Sequence, residues 1–207
     1  MKYYENFLDS QLLNELEREL SSITDWKDFD RNTSHMKETY NENAKVFNEL
    51  RSILHSKNFI QWVEEESSVN GLIVDSFGIG EGISLMEKGD KLNSHIDFNW
   101  NDRIKMYRSV NLLIYFGDCQ GGEFHIWDDN REKIIFEKSP KNNSAILFKH
   151  SETKSHGVNS VLSGKRYAIR QFYYKSELTV DNPHQSLYWF NVNKNMKTNS
   201  KGDYENK

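Results

Sequence analysis

Cysteine is nearly absent: among 207 residues only Cys119 carries a thiol. One cysteine excludes an intramolecular disulfide framework and a CxxC zinc site, and it fits a reducing, cytoplasmic compartment. Proline is almost as scarce. Pro140 and Pro183 sit in polar, loop-like surroundings, and no Pro-rich linker is present. No apolar run approaches the roughly 18 residues that a membrane-spanning helix needs. The opening MKYYENFLDS reaches Glu5 without an apolar stretch, so no signal peptide is expected. A basic excess is missing too. Lys and Arg number 27 against 31 Asp and Glu, a net charge of −4. Proteins that bind nucleic acid through phosphate contacts carry the opposite balance, so that class loses weight. No internal repeat is visible.

What is present describes a folded chain. Hydrophobic residues make up 36% and aromatic residues 13%, far from a disordered composition. The first third reads as helical. Asp9 caps a segment with Leu12, Leu13, Leu16, Leu20 and Ile23 on one stripe. A polar stretch of little periodicity follows, from Asp25 to Tyr40. A second helix carries Val46, Phe47, Leu50, Ile53 and Leu54. Ser56 caps a third, with Phe59, Ile60 and Val63 inward.

From Asn70 the texture changes to short β-branched and aromatic runs between Gly, Asn and Asp. Strands are predicted near 72–76, 83–86, 92–95, 107–115, 123–127, 133–136, 144–148, 155–158 and 165–174. Strands without intervening helices point to an all-β barrel or sandwich. The expected organisation is a single domain over 1–192, in which residues 1–69 are helical and residues 70–192 form a jelly-roll core. A polar, flexible tail over 193–207 completes it. Cys119 is expected in a turn.

The segment LNSHIDFNW places His95 and Asp97 two residues apart. On a strand, residues i and i+2 share a face, so an imidazole and a carboxylate project together. Two such groups begin a facial metal site, and a third ligand must come from a distant strand. His156, in KSHGVNSVLSGKRYAI, competes for that place with His125 and His150. Two histidines and one carboxylate leave open coordination positions and suit non-haem Fe(II). Arg166, ten residues after His156, shares a strand face with Ala168 and Arg170. A fixed guanidinium beside a metal suits a dicarboxylate co-substrate, because Arg meets a carboxylate with two parallel donors.

HxD, a later H-G-V and an Arg ten residues on resemble the Fe(II)/2-oxoglutarate-dependent dioxygenases, in the prolyl 4-hydroxylase-like branch. EKGDKLNSHID, which leads into the HxD, is followed in the family's order by RSVNLLIYF, GGEFHIWD, SAILFKHSETKSHGV and GKRYAIRQFYY, all between Gly82 and Tyr174. The resemblance implies a mainly β, double-stranded β-helix (jelly-roll) core with N-terminal supporting helices. It implies His95, Asp97 and His156 as iron ligands and catalytic centre, with Arg166 on the far carboxylate of 2-oxoglutarate. It further implies O₂ as co-substrate, ascorbate as a helper, and hydroxylation of an unactivated C–H with release of succinate and CO₂. A carboxylate at Asp97 fills a position that a halide would need, which favours hydroxylation over halogenation. Relatives often carry a Tyr where this chain has Met86, and Ser or Thr where it has Ala168. Tyr107 or Tyr115 is the expected substitute, and Arg170 a second contact to co-substrate or substrate.

The resemblance suggests a peptidyl proline as substrate, with free amino acids or other small molecules as the alternatives; neither nucleic acid nor membrane is an expected partner. Substrate specificity is expected in loops 97–107, 127–133 and 176–191. Trp100, Trp127 and Trp189 read first as packing or rim aromatics. Two rival readings are a cupin-like binding jelly roll, which typically shows HxH spacing, and an inactive scaffold.

Overall fold

The computed structural model describes residues 1–31, 34–39, 44–176, 183–189 and 197–198. Strand β1 (Lys2–Glu5) precedes helix α1 (Ser10–Ser22). Asp9 caps that helix by accepting from the amides of Gln11 and Leu12, both at 3.0 Å. Strands β2 (Lys27–Arg31) and β3 (Ser34–Thr39) form a hairpin, followed by α2 (Lys45–Leu54) and α3 (Lys57–Ser67). Ala44 offers α2 no side-chain cap. Glu19 of α1 supplies it instead, accepting from the amides of Val46 at 2.9 Å and Phe47 at 2.7 Å.

The remaining strands are β4 (Ile73–Val74), β5 (Gly82–Met86), β6 (Lys91–Ile96), β7 (Trp100–Asn101), β8 (Met106–Phe116), β9 (Cys119–Gly121), β10 (Phe124–Trp127), β11 (Ile134–Lys138), β12 (Ser144–Lys149), β13 (His156–Val158), β14 (Val161–Gly164), β15 (Arg166–Lys175), β16 (Leu187–Trp189) and β17 (Lys197–Thr198). The main sheet runs β1-β12-β8-β15-β5-β3-β6-β13-β10-β11, and every described pair in it is antiparallel. The sheet folds back on itself. One core joins Tyr115, Ile146, Phe148 and Ala168 from one half to Phe124, Ile126 and Val158 from the other. The outer face of β8, β12 and β15 packs on the helices, where Leu16, Phe47, Leu50, Val63, Leu112 and Ile169 are buried together. This is the jelly roll with supporting helices, and alternation along β15 decides which core each side chain enters.

The structure differs from the expectations before residue 70. That segment supplies strands as well as helices. The unperiodic stretch 25–40 contains the β2–β3 hairpin, and β3 lies between β5 and β6, joining the two halves of the barrel. Its signal is non-local. Met36 and Thr39 are buried, while Lys37 pairs with Glu87 at 2.6 Å and Glu38 with Arg170 at 2.5 Å. Those charges make the strand look like a polar loop when only sequence neighbours are read. Cys119 lies in β9, paired with β14, rather than in a turn. Ile53 of the expected α2 stripe is 42% exposed. The expected tail, 193–207, lies outside the described residues except for β17, which pairs with β16. Among the described residues no helix is long and apolar enough to cross a membrane.

Candidate metal and co-substrate site

Strands β6 and β13 are antiparallel neighbours, and His95 and His156 stand directly opposite each other in register. Their ring centroids are 4.4 Å apart. Asp97, just past the end of β6, completes the group. Its Oδ1 lies 3.5 Å from His95 Nε2 and its Oδ2 lies 3.3 Å from His156 Nε2. One ligand atom from each residue falls within 4.8 Å of the others. Residues far apart in the chain thus meet through one cross-strand pairing.

The donor set fits a divalent cation. His95 Nδ1 donates at 2.9 Å to the Asn93 carbonyl, which leaves Nε2 as the ring's ligating atom. Burial pulls His156 down to about 4, against the attraction of Asp97, so its ring is neutral at pH 7. Burial pushes the Asp97 carboxyl up, but the Arg108 charge and contacts from both imidazoles outweigh it and hold the group well below the usual carboxylate range. The result is one carboxylate and two imidazoles facing a common point.

Arg108 is the residue that reading the sequence underrated. It lies on β8, buried, and donates to Asp97 Oδ2 at 2.9 Å and to Asn111 Oδ1 at 2.6 Å. Its guanidinium stacks on Phe172 at 3.4 Å. An arginine in a strand as apolar as RSVNLLIYF is itself a signal, because a buried guanidinium requires a partner.

Arg166 opens the other end of the same cavity. It is 2% exposed. Its Nε donates to the Gly122 carbonyl at 3.0 Å, and Nη1 lies 3.7 Å from Met86 Sδ. No carboxylate among the described residues pairs with it. Gly122 makes this approach feasible, since a Cβ there would lie 2.9 Å from Arg166 Cδ. The Tyr115 ring lies 4.8 Å from the guanidinium carbon. Burial pushes the Tyr115 phenol up to about 12, with Arg166 opposing, and its buried oxygen has no hydrogen-bond partner among the described residues. A buried guanidinium with no carboxylate partner, beside a buried phenol, calls for an anionic acceptor.

The other predicted residues separate. Tyr107, eight residues before Tyr115 on β8 and so roughly 27 Å away, donates at 2.6 Å to Glu152 and does not reach Arg166. Arg170 shares the face of Arg166, lines the same cavity and pairs with Glu38. His125 stands opposite Gly157, and its Nε2 is 3.3 Å from Ser94 Oγ. It faces away from the cavity because its neighbours Phe124 and Ile126 point in. His150 bonds Glu152 at 3.0 Å. Trp127 donates to Ser94 at 3.0 Å and Trp100 to Asp102 at 3.1 Å; the Trp189 side chain lies outside the described residues.

Residues 82–174 match the family model of the 2OG-Fe(II) oxygenase superfamily. The fold is similar to a prolyl hydroxylase of Trichoplax adhaerens, solved with a hypoxia inducible factor oxygen degradation domain peptide. Identity there is 19% over 84% of this chain and 83% of that one, with a TM-score of 0.63. It is similar also to the viral collagen prolyl hydroxylase of Paramecium Bursaria Chlorella virus-1 (14% identity, 85% and 96% coverage, TM-score 0.57). A third likeness is to a 2OG-Fe(II) oxygenase family oxidoreductase of Burkholderia pseudomallei (12% identity, 86% of each chain, TM-score 0.63). No curated protein matches the chain in sequence.

Proposed function

From the match of residues 82–174 to the family model of the 2OG-Fe(II) oxygenase superfamily, we propose that this protein is an Fe(II)- and 2-oxoglutarate-dependent dioxygenase that hydroxylates an aliphatic C–H, releasing succinate and CO₂. The observation that carries the proposal is the single cavity shared by His95, Asp97, His156 and an unpaired Arg166. A cupin-like binder has no need of that buried guanidinium. When bound, the ferrous ion supplies the oxygen activation and redox chemistry that no side chain can.

The chain's own groups do the rest. His95, Asp97 and His156 hold the metal, and Arg108 keeps Asp97 ionised and oriented. Arg166 receives the far carboxylate of 2-oxoglutarate through its free donors, and the Tyr115 hydroxyl donates beside it, taking the place of the hydroxyls absent at Met86 and Ala168. Leu92, Leu113, Phe124, Phe148 and Val158 line the cavity and keep it dry. Ascorbate would serve only to return an oxidised metal to the ferrous state. The peptidyl proline implied by the resemblance takes second place as substrate, because charged side chains, Glu38 and Arg170 among them, face the outer chamber.

The test is succinate release from 2-oxoglutarate by Fe(II)-loaded protein, together with anaerobic calorimetry. Arg166→Met should weaken 2-oxoglutarate binding by about 2 kcal/mol or more, the range for hydrogen bonds to charged groups, with metal affinity nearly unchanged. A chain that binds neither metal nor 2-oxoglutarate would be the inactive scaffold.

A further inference from the structure

Strand β15 presents Arg166, Ala168, Arg170 and Phe172 to the barrel interior. Tyr167, Ile169 and Tyr173 face the helices. The first guanidinium is accounted for by the co-substrate; the second is not. Arg170 donates through Nη1 to Glu38 at 2.5 Å. Its Nε is sealed from water and has no hydrogen-bond partner among the described residues. A desolvated donor of this kind is costly unless something fills it. Nε and the adjacent Nη2 form the other edge of the fork, the edge that matches a carboxylate. Ala168 adds no bulk between the two arginines.

The charge balance of the cavity points the same way. Arg108, Arg166 and Arg170 line it, with Asp97 and Glu38 as counter-charges. Glu81, which also lines the outer chamber, sits 3.6 Å from Arg51 and cancels against it. A ferrous ion and the dianionic co-substrate leave one positive charge over. Arg108 is committed to Asp97 and Asn111 and Arg166 to the co-substrate, so the donors left over in this positive cavity are those of Arg170 that Glu38 does not engage. The outer chamber, with a volume of about 450 Å³, places Arg170 on the same wall system as His95 and Asp97, a size suited to a small molecule.

We propose that the prime substrate is a small carboxylic acid, and that its carboxylate docks on the Nε edge of Arg170 and so aims a nearby C–H at the metal. Arg170 is thus a specificity-determining residue, and Glu38 holds its fork in place. This inference rests on the dioxygenase reading.

The experiment uses a panel of free and N-acetylated L-amino acids with their primary amides, and a capped prolyl peptide. Binding is read by anaerobic calorimetry on the Fe(II)- and 2-oxoglutarate-loaded protein, and turnover by succinate release. Acids should bind and stimulate, while the matching amides should bind about tenfold or more weakly, a difference of about 1.4 kcal/mol. Arg170→Gln should erase that acid-over-amide preference while shifting the 2-oxoglutarate Kd little. Arg170→Lys keeps the charge without the fork and should retain some of it. Glu38→Gln, which removes the counter-charge while leaving an amide oxygen to accept from Nη1, should tighten acid binding. The inference is overturned if amides match acids, if no acid binds, if only the capped peptide stimulates, or if Arg170→Gln weakens 2-oxoglutarate about tenfold. In each of those cases 2-oxoglutarate still binds. Failure of the dioxygenase reading differs, since the wild-type chain would then bind no 2-oxoglutarate at all.

Discussion

The Asp97–Arg108 pair shows how one residue conditions another. Both are buried, and the Arg108 charge keeps the Asp97 carboxylate ionised out of water. Removing one partner of such a pair leaves an uncompensated buried charge. Arg108→Gln should therefore destabilise the metal-free protein by about 3–5 kcal/mol in urea unfolding. Added Mn(II) should recover some of that loss, because the cation replaces the missing charge. The pH sign follows from the depressed carboxyl. In the wild type its contribution is full above the ordinary carboxylate pKa and is lost as pH falls through the lowered value. Without Arg108, acid unfolding should begin at higher pH. Gly157 shows the steric counterpart. A Cβ there would sit 2.8 Å from the Leu92 carbonyl and 2.9 Å from His125 Nε2, so the glycine after His156 is what lets β13 lie close enough to β6 for the two imidazoles to meet. The HGV triplet was visible in the sequence; its reason was not, since Leu92 and His125 are distant in the chain.

Among the elements, the segment 183–189 stands against the site. Strand β16 pairs with β6, placing Leu187 opposite Ile96 and Tyr188 opposite His95. A hub at Glu152 ties this segment down. Its carboxylate receives Tyr107 at 2.6 Å, His150 at 3.0 Å, Asn99 at 3.1 Å and His184 at 2.7 Å. Partial burial pushes Glu152 up, but these four donors hold it well below the usual range. The hub should therefore stay closed across the ordinary carboxylate range and loosen only as pH falls below it. Glu152→Gln removes the charge at all pH values. It should speed hydrogen exchange at the Asn99 and His184 amides, while amides in β8 and β12 keep wild-type protection. Neither the hub nor the β2–β3 hairpin was legible from periodicity. Both are polar segments whose order comes from partners elsewhere in the chain.

At the scale of the whole molecule, two cores share the wall formed by β8, β12 and β15. One is apolar and packed on helices; the other contains the site. The second core carries buried Arg108, Arg166, Asp97, His95 and His156, a polar load that the proposed metal and co-substrate would relieve. Ligands that bind only the folded state stabilise it by mass action. Mn(II) at about 100 times its Kd should add about 2.7 kcal/mol and raise the melting temperature, and 2-oxoglutarate should add to this only once metal is present. Calorimetric melts with and without chelator check the order. Stabilisation by 2-oxoglutarate alone would mean that Arg166 holds it without help from the metal.

The amino-acid sequence by itself determined the class of the fold and the candidates for chemistry. Short β-branched and aromatic runs between turn residues marked strands in the second half, apolar stripes marked α1 to α3, and spacing together with family resemblance singled out His95, Asp97, His156 and Arg166. Those signals are local, or recur as motifs, and so survive without coordinates. Tertiary structure alone decided that β3 joins the two halves of the barrel, that Arg108 guards Asp97, that Tyr115 and not Tyr107 stands by Arg166, and that the buried Nε of Arg170 has no partner among the described residues. Each depends on which strands become neighbours. That choice is made by pairing and burial across the whole chain, where a charged residue is placed by a partner that no window of sequence contains.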